Sequence, residues 1–303
     1  MTGPAIHPDA ISEAIALARA AAASAGVTVD EIQEVDELNE LNRVIDAVWH
    51  REGDAVVVDM LRALALSGNC ILAARSGTEM VGATVSFRGV HEGRPTLHSH
   101  ITGIVPGSQL RGVGMALKLR QRAWALSNGI ESVTWTFDPL VARNAHFNLT
   151  KLGAEAAEYL VDFYGPLHDD ANGDDATDRL LAVWRLASPG VERALAGLTP
   201  PALIEVLLQL GVPVLLDIGA GGDPLLAGRA AWASTTAARP DRALARIPDD
   251  ILAVRSRDRR QADAWRGALR EVMTTLFAQG LRPVGAIAPG WYVFGPRGSD
   301  GTA

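Results

Sequence analysis

Cysteine is nearly missing from these 303 residues: Cys70 stands alone. One thiol excludes an intramolecular disulfide and a cysteine-only metal cluster. Because it sits in an apolar, strand-like run, Cys70 is expected to be a small buried hydrophobe rather than a nucleophile. A basic block is missing too. Lys and Arg total 28 against 35 Asp and Glu, a formal charge of −7, which argues against nucleic acid as the main partner. The longest apolar stretch, Ala202 to Ala220, is broken by Glu205, Gln209, Pro213 and Asp217, so it does not read as a bilayer span. The amino terminus shows no basic segment followed by an apolar core. Ile11 to Ala25 is alanine-rich with Glu13 and Arg19 inside it, and reads as a leading helix. A cytoplasmic protein without membrane or nucleic-acid partners is expected.

Hydrophobic residues make up 48% and charged residues 21%, the balance of a globular chain long enough for two domains. Val27 to Val35 reads as a strand, followed by helical patterns over Asp36 to Trp49 and Ala55 to Leu66. Cys70 to Arg75 and Met80 to Val90 are apolar strands around a hairpin signal, Ser76-Gly77-Thr78-Glu79, and Thr96 to Val105 pairs next. Ser132 to Phe137 alternates, with Val133, Trp135 and Phe137 on one face, and ends at Asp138-Pro139. Asn144 to Leu152 reads as a short helix closed by Gly153, and Tyr159 to Tyr164 as a further strand.

The most informative stretch is Arg111-Gly112-Val113-Gly114-Met115-Ala116, which comes after the strand-like run to Val105 and opens a helix reaching about Ser127. A helix start carries N–H groups without intrahelical partners and partial positive charge. Two glycines let a ligand approach the backbone closely. Together they make a place where a phosphate cradle can be built. No Gly-Lys-Ser/Thr comes after the turn, and position 117 is leucine, so neither the P-loop nor the dinucleotide fingerprint fits. The helix carries Val113, Ala116, Leu117, Ala123 and Trp124 on one stripe, with Lys118, Gln121 and Arg122 expected opposite. Arg120, inside the stripe, is expected to snorkel or to pair with an acid.

The Arg-x-x-Gly-x-Ala pattern from Arg111 to Ala116 resembles the pyrophosphate-binding signature of the GCN5-related N-acetyltransferase (GNAT) superfamily. The resemblance covers about Val27 to Leu186. It implies an α+β fold, with a mixed, largely antiparallel central sheet flanked by helices, and acetyl-CoA or another acyl-CoA as co-substrate. It implies that residues 1–186 form the catalytic domain. In that role the amides of Arg111, Gly112, Val113, Gly114, Met115 and Ala116 would meet the diphosphate, Ile104 and Val105 would lie along the pantetheine arm, and Asn144 would sit beside it. The segment Asn144 to Ala154 also resembles the family's asparagine-to-Lys-Leu-Gly-Phe stretch. It departs at Leu149, where many relatives place a thiolate-protonating tyrosine; Tyr159, Tyr164 or solvent would then serve, or no acid is needed.

The reaction so implied is direct attack of an amine on an acyl thioester in a ternary complex, without an acyl-enzyme. Its acceptor would be a small-molecule amine, an amino acid being one candidate, and its acyl group acetyl or succinyl in type. Candidate bases are His98 and His100, two apart on a strand and therefore on one face. A metal site at this pair lacks a third ligand at recognisable spacing. Asp138 is a candidate for orienting an amine or histidine, or for capping the turn before Pro139. A binding scaffold without turnover and an O-acyltransferase are the rival readings.

Residues 187–303 read as a smaller α/β region that would close over the acceptor, supply a homodimer surface or stabilise the fold. Its strongest element is a helix from Asp258 to Gln279, with strands at Ala243 to Ile247, Arg282 to Ile287 and Trp291 to Phe294. Parts of it resemble an extra region of a bacterial subgroup of GNAT proteins. His168 to Asp178 reads as a solvated loop without calcium spacing. Leu216 to Gly222 resembles the first motif of methyltransferases, but too little chain remains beyond it for the parallel sheet such enzymes need.

Overall fold

The computed structural model describes residues 6–49, 56–107, 110–165, 176–198, 204–227 and 241–296. The chain divides into two compact units inside one strand, Met1–Trp135 and, excepting 168–173, Thr136 onward. Among the described residues no helix is long and apolar enough to cross a membrane.

The first unit opens with helix α1 (Pro8–Ser24), started by Pro8 and by His7, whose Nδ1 accepts from the Asp9 N–H at 3.3 Å. Next in the chain are strand β1 (Thr28–Glu31), helices α2 (Val35–Trp49) and α3 (Val58–Leu66), and strands β2 (Ile71–Ser76), β3 (Glu79–His91) and β4 (Arg94–Ile104). Helix α4 (Val113–Ser127) leads to β5 (Ser132–Phe137), and the strands lie in the order β1-β2-β3-β4-β5. The first four pair antiparallel and β5 joins β4 in parallel, a mixed, largely antiparallel sheet in the element order that the resemblance implies. The expected first strand is shorter than read, because Glu37 caps the start of α2 by accepting from the N–H groups of Gln33 and Glu34.

Alternation sorts β2 and β3 between two layers. Ile71, Ala73, Ala83 and Val85 pack on Leu38, Leu41, Ile45 and Leu61 of α2 and α3. Gly82, Thr84 and Ser86 face α4 instead. An ideal Cβ at Gly82 would stand 3.1 Å from the Gly103 carbonyl oxygen and 3.2 Å from Val113 Cγ1, so only glycine lets α4 settle this close.

In the second unit a short helix α5 (Ala142–Ala145) runs into a π-helical turn, His146–Lys151, in place of the single regular helix expected. Strand β6 (Glu155–Leu160) pairs antiparallel with β7 (Arg179–Arg185). The strand expected over Tyr159 to Tyr164 ends at Leu160, because Asp162 turns the chain with a φ of 47°. Helices α6 (Pro189–Leu195) and α7 (Ile204–Gln209) precede β8 (Val214–Ile218), β9 (Pro224–Leu226) and β10 (Ala243–Arg246). Helices α8 (Ile251–Arg257) and α9 (Arg259–Ala278) and strands β11 (Leu281–Ile287) and β12 (Trp291–Pro296) complete a five-stranded sheet, β11-β12-β10-β8-β9. Asp250 and Asp258 cap α8 and α9 through the N–H groups of Ala253 and Gln261. The glycine-rich turn after Ile218 returns as β9, antiparallel to β8, so no helix succeeds it and the methyltransferase likeness ends there.

Gly82→Val is expected to destabilise the chain by about 1–3 kcal/mol through overpacking under α4. Gly89→Ala, whose Cβ would have its nearest neighbour at 3.9 Å, is expected to stay within about 0.5 kcal/mol of the native chain in urea denaturation.

Candidate functional site

Within the first unit the parallel β4–β5 ladder holds two register pairs, Leu97↔Val133 and His98↔Thr134. Beyond them β4 continues from Ser99 to Ile104 with its β3 side paired. Ile104 and Val105 are half-buried at its end, where the Val105 N–H donates to the Val81 carbonyl at 3.0 Å.

Gly112 is the N-cap of α4, exposed and left-handed at φ 89°, a conformation a side chain would oppose. No side chain caps this helix start and its first turn carries no acid, so nothing on α4 competes for the leading amides. Arg111 is exposed beside Gly112, Val113 points into the core, and Gly114 and Met115 are half-buried. A Cβ on Gly114 would stand 3.2 Å from Ile104 Cδ1, which seats the helix start on the end of β4. A helix start of this kind, with no side-chain cap and no acid in its first turn, carries partial positive charge and unpaired N–H groups that suit an anion.

His98 and His100 share one face as expected, their ring centroids 6.3 Å apart with Phe87 5.1 Å from His98. His100 is the extra residue of a bulge in the β3–β4 register, and it is exposed. His98 is half-buried with Nδ1 3.2 Å from Thr134 Oγ1. Burial, with His100 and Lys118 nearby, pushes its imidazole down to about 4, so it is neutral at neutral pH.

Lys118, Gln121 and Arg122 are not on a solvent face. All three are buried, and Lys118 and Gln121 turn toward the hydroxyls of β3 and β4. Lys118 Nζ donates to Ser99 Oγ at 2.9 Å and to Gln121 Oε1 at 3.2 Å, and lies 4.0 Å from the Trp135 ring centroid. Gln121 Nε2 donates to Ser86 Oγ and Ser99 Oγ at 2.6 and 3.1 Å. Burial pushes the lysine down to about 7, with Cys70 opposing the shift. Cys70 itself is fully buried, and desolvation raises its thiol far out of the reactive range. Arg120 pairs with Glu31 at 2.9 Å, and Trp124 Nε1 donates to the same carboxylate at 2.8 Å.

Asp138 and Asn144 belong to the second unit. Asn144 is exposed on α5, and Leu149 is buried in the π-helical turn. Both Asp138 oxygens are committed. Oδ1 accepts from Arg266 Nη1 and from the Leu140 N–H, each at 2.9 Å; Oδ2 accepts from Arg266 Nη2 at 2.9 Å and Arg255 Nη2 at 2.6 Å. Burial alone would raise this carboxyl, but Arg266 and Arg255 outweigh it and hold the group well below the usual range. A second cluster joins Tyr159, whose hydroxyl donates to Asp178 Oδ2 at 2.6 Å, to Arg270, which donates to both Asp178 oxygens and to Asp162. Tyr164 is exposed, its hydroxyl 3.1 Å from Thr136 Oγ1. His146 is half-buried, its Nδ1 2.7 Å from the Ala286 carbonyl oxygen. Among the described residues no group of His, Cys, Asp and Glu is placed to hold a metal ion.

No protein-family model matches the chain, and no curated protein sequence does. Among solved structures the chain is similar to the ribosomal-protein-S18-alanine N-acetyltransferase of Escherichia coli at 12% identity, covering 54% of this chain and 95% of that one, with a TM-score of 0.43. It is similar also to a GNAT family acetyltransferase of Brucella melitensis in complex with acetyl-CoA, at 14% identity over 37% and 76% of the chains with a TM-score of 0.32. A third is an aminoglycoside acetyltransferase from an uncultured soil metagenomic sample, at 17% identity over 37% and 78% with a TM-score of 0.34.

These clusters have two consequences for stability. Asp138→Ala leaves two guanidiniums without their carboxylate and is expected to cost about 3–5 kcal/mol in urea denaturation. The wild-type contribution is present above the unfolded carboxyl value of about 3.9 and is lost progressively as pH falls from there through the lower folded value. Lys118 is likewise depressed, from about 10.4 unfolded to about 7 folded. Its contribution is full at high pH and falls away as pH drops toward 7. Raising pH from 7 to 10 should therefore stabilise the native chain more than Lys118→Met; equal pH slopes would disprove the assignment.

Proposed function

We propose that the chain is an acyl-CoA-dependent N-acyltransferase. It moves an acetyl or succinyl-type group from coenzyme A to the amine of a small molecule, an amino acid among the candidates, by direct attack in a ternary complex. One observation carries the reading: the uncapped start of α4 at Gly112, seated on the end of β4, in the stretch whose sequence matches the pyrophosphate signature.

In this reading the amides from Gly112 to Met115 hold the diphosphate, the Ala116 N–H being donated to the Gly112 carbonyl at 2.9 Å, and Arg111 adds a positive charge at its edge. Ile104 and Val105 line the pantetheine arm. Within residues 1–186 as the catalytic domain, His98 accepts the amine's proton, directly or through water, as the new C–N bond forms. The C–S bond breaks and its electron pair leaves on sulfur. His98, neutral at neutral pH, is available for this, but a weak base of this kind suits an amine that arrives already deprotonated. Asp138, with both oxygens engaged, acts in this reading by positioning the chain after β5 and not as a proton acceptor. The arginines of 187–303 that bind it give that region a stabilising role.

A second reading, a scaffold that binds acyl-CoA without turnover, is favoured by Leu149, which is apolar and buried where the resemblance places a tyrosine, and by Tyr159, whose hydroxyl is engaged by Asp178.

Calorimetric titration with coenzyme A, and then thiol release from acetyl- and succinyl-CoA against a panel of amino acids, separates the two. Gly112→Trp is expected to weaken coenzyme A binding by about tenfold or more, since both the amide geometry and the approach are lost. Unchanged affinity would place the cradle elsewhere. Binding without amine-dependent thiol release would favour the scaffold. His98→Ala should lower turnover with little change in coenzyme A affinity, and normal turnover would remove His98 from the chemistry.

A further inference from the structure

Among the described residues, one cluster of ions in the second unit brings together four guanidiniums, Arg179, Arg255, Arg266 and Arg270, and three carboxylates, Asp138, Asp162 and Asp178. Arg255 and Arg266 take Asp138, and Arg270 takes Asp162 and Asp178. Arg179 is the cation left over. It is 9% exposed, and among the described residues its guanidinium donates to the Asp178 backbone carbonyl at 3.0 Å and meets no carboxylate. Desolvation disfavours its charge most; Asp138 attracts it without forming an ion pair, and Arg266 and Arg255 repel it. A guanidinium this buried is normally matched by an anion, because desolvation removes the water that would otherwise compensate it.

The groups over Arg179 point to the anion's shape. Its guanidinium carbon stands 5.3 Å from the centroid of the Tyr164 ring. That ring is exposed and meets Phe163, also exposed, edge-on at 4.7 Å. The turn bearing both rings is fastened rather than loose. The Phe163 N–H donates to the Thr177 carbonyl at 3.2 Å, the Tyr164 N–H to Thr177 Oγ1 at 3.1 Å, and Thr177 Oγ1 to the Gly165 carbonyl at 3.0 Å. Thr136 Oγ1 and the Tyr164 hydroxyl, 3.1 Å apart, share one hydrogen bond, which leaves one rotatable hydroxyl proton to donate to a ligand.

We propose that Arg179, Thr136 and Tyr164 form a binding site for the carboxylate of a small molecule whose apolar or aromatic body lies against Phe163 and Tyr164. The guanidinium edge suits a planar carboxylate through paired N–H bonds, with the remaining hydroxyl proton fixing its orientation. The two rings supply apolar contact to a body attached to that headgroup. The site does not depend on the coenzyme A reading, since every residue in it belongs to the second unit.

The test is calorimetric titration of the full chain with 3-phenylpropionate, 3-phenylpropionamide and propionate. The expected order is the aromatic acid tightest, with the amide and the short acid each weaker by about tenfold or more, as a lost charged hydrogen bond or a lost ring contact predicts. Arg179→Gln should bring the acid down to the level of the amide, and Arg179→Lys should recover part of the difference. Should Arg179→Gln fail to fold, the wild-type gap between acid and amide, narrowing with added salt, decides the matter. Equal binding of acid and amide, inorganic phosphate binding as tightly as the aromatic acid, or no saturable heat from the acid overturns the proposal. Coenzyme A, titrated in parallel, reports on the other reading separately.

Discussion

The second unit depends on one carboxylate. Asp138 comes directly after the last residue of β5, and its two oxygens receive three bonds from guanidiniums of α8 and α9. The side chain is 11% exposed and that of Arg266 4%, so little water shares the charge. An ion pair this dry is a weak contributor to net stability and a strong constraint on geometry. Removing one partner strands the other, whereas keeping both fixes where the chain leaves the strand. The Leu140 N–H on Oδ1 and the Tyr292 hydroxyl on the Pro139 carbonyl at 2.7 Å reinforce the same corner. Residues more than a hundred positions apart are joined here, which no local pattern around Asp138-Pro139 reveals.

The same kind of blindness explains α4. Lysine, glutamine and arginine at 118, 121 and 122 fall on one side of a helical wheel and read as a solvent face. The inference fails because Lys118 and Gln121 turn toward the sheet, where β3 and β4 hold polar partners for them, while α1 also packs along the helix. A signal was present in the strands. Thr84 and Ser86 of β3 and Ser99 of β4 are polar residues at positions that alternation turns toward α4, and buried hydroxyls require partners. Lys118 and Gln121 are the partners of the two serines, and Thr84 finds its own in the Ile101 carbonyl and Thr102 Oγ1. Reading the strands for misplaced polarity, rather than the helix for amphipathicity, would have found the network.

Other parts were legible for reasons just as local. Strand alternation alone puts His98 and His100 on one face, and the bulge at His100 does not undo it. Hairpin turns, the lone buried thiol and the start of α9 at Asp258 reflect short-range chemistry that tertiary packing has little power to override. The π-helical turn from His146 was not legible, since Thr150 Oγ1 and His146 Nδ1 are drawn to the Ala286 carbonyl, a partner supplied by β11. Nor was the early end of β6, which Asp178 enforces by accepting from the Asp162 N–H.

Two glycine-rich turns compete for a ligand in this chain, and the element that each one leads into decides between them. After Gly112 the chain enters fifteen residues of helix, so its first amides point outward with no partner in the helix and with the dipole behind them. After Gly219 it enters a three-residue turn and then β9. There the Gly219 N–H is taken by the Asp223 carbonyl at 2.8 Å and the Gly222 N–H by the Gly219 carbonyl at 3.2 Å. Its carbonyls are used as well: Gly221 accepts from Gln261 and Gly222 from Trp265, at 3.1 and 2.9 Å. The second turn thus spends two of its N–H groups within itself and two of its carbonyls on α9. Glycine makes both turns possible, but only the first opens a helix of fifteen residues, whose leading N–H groups lack partners within the helix.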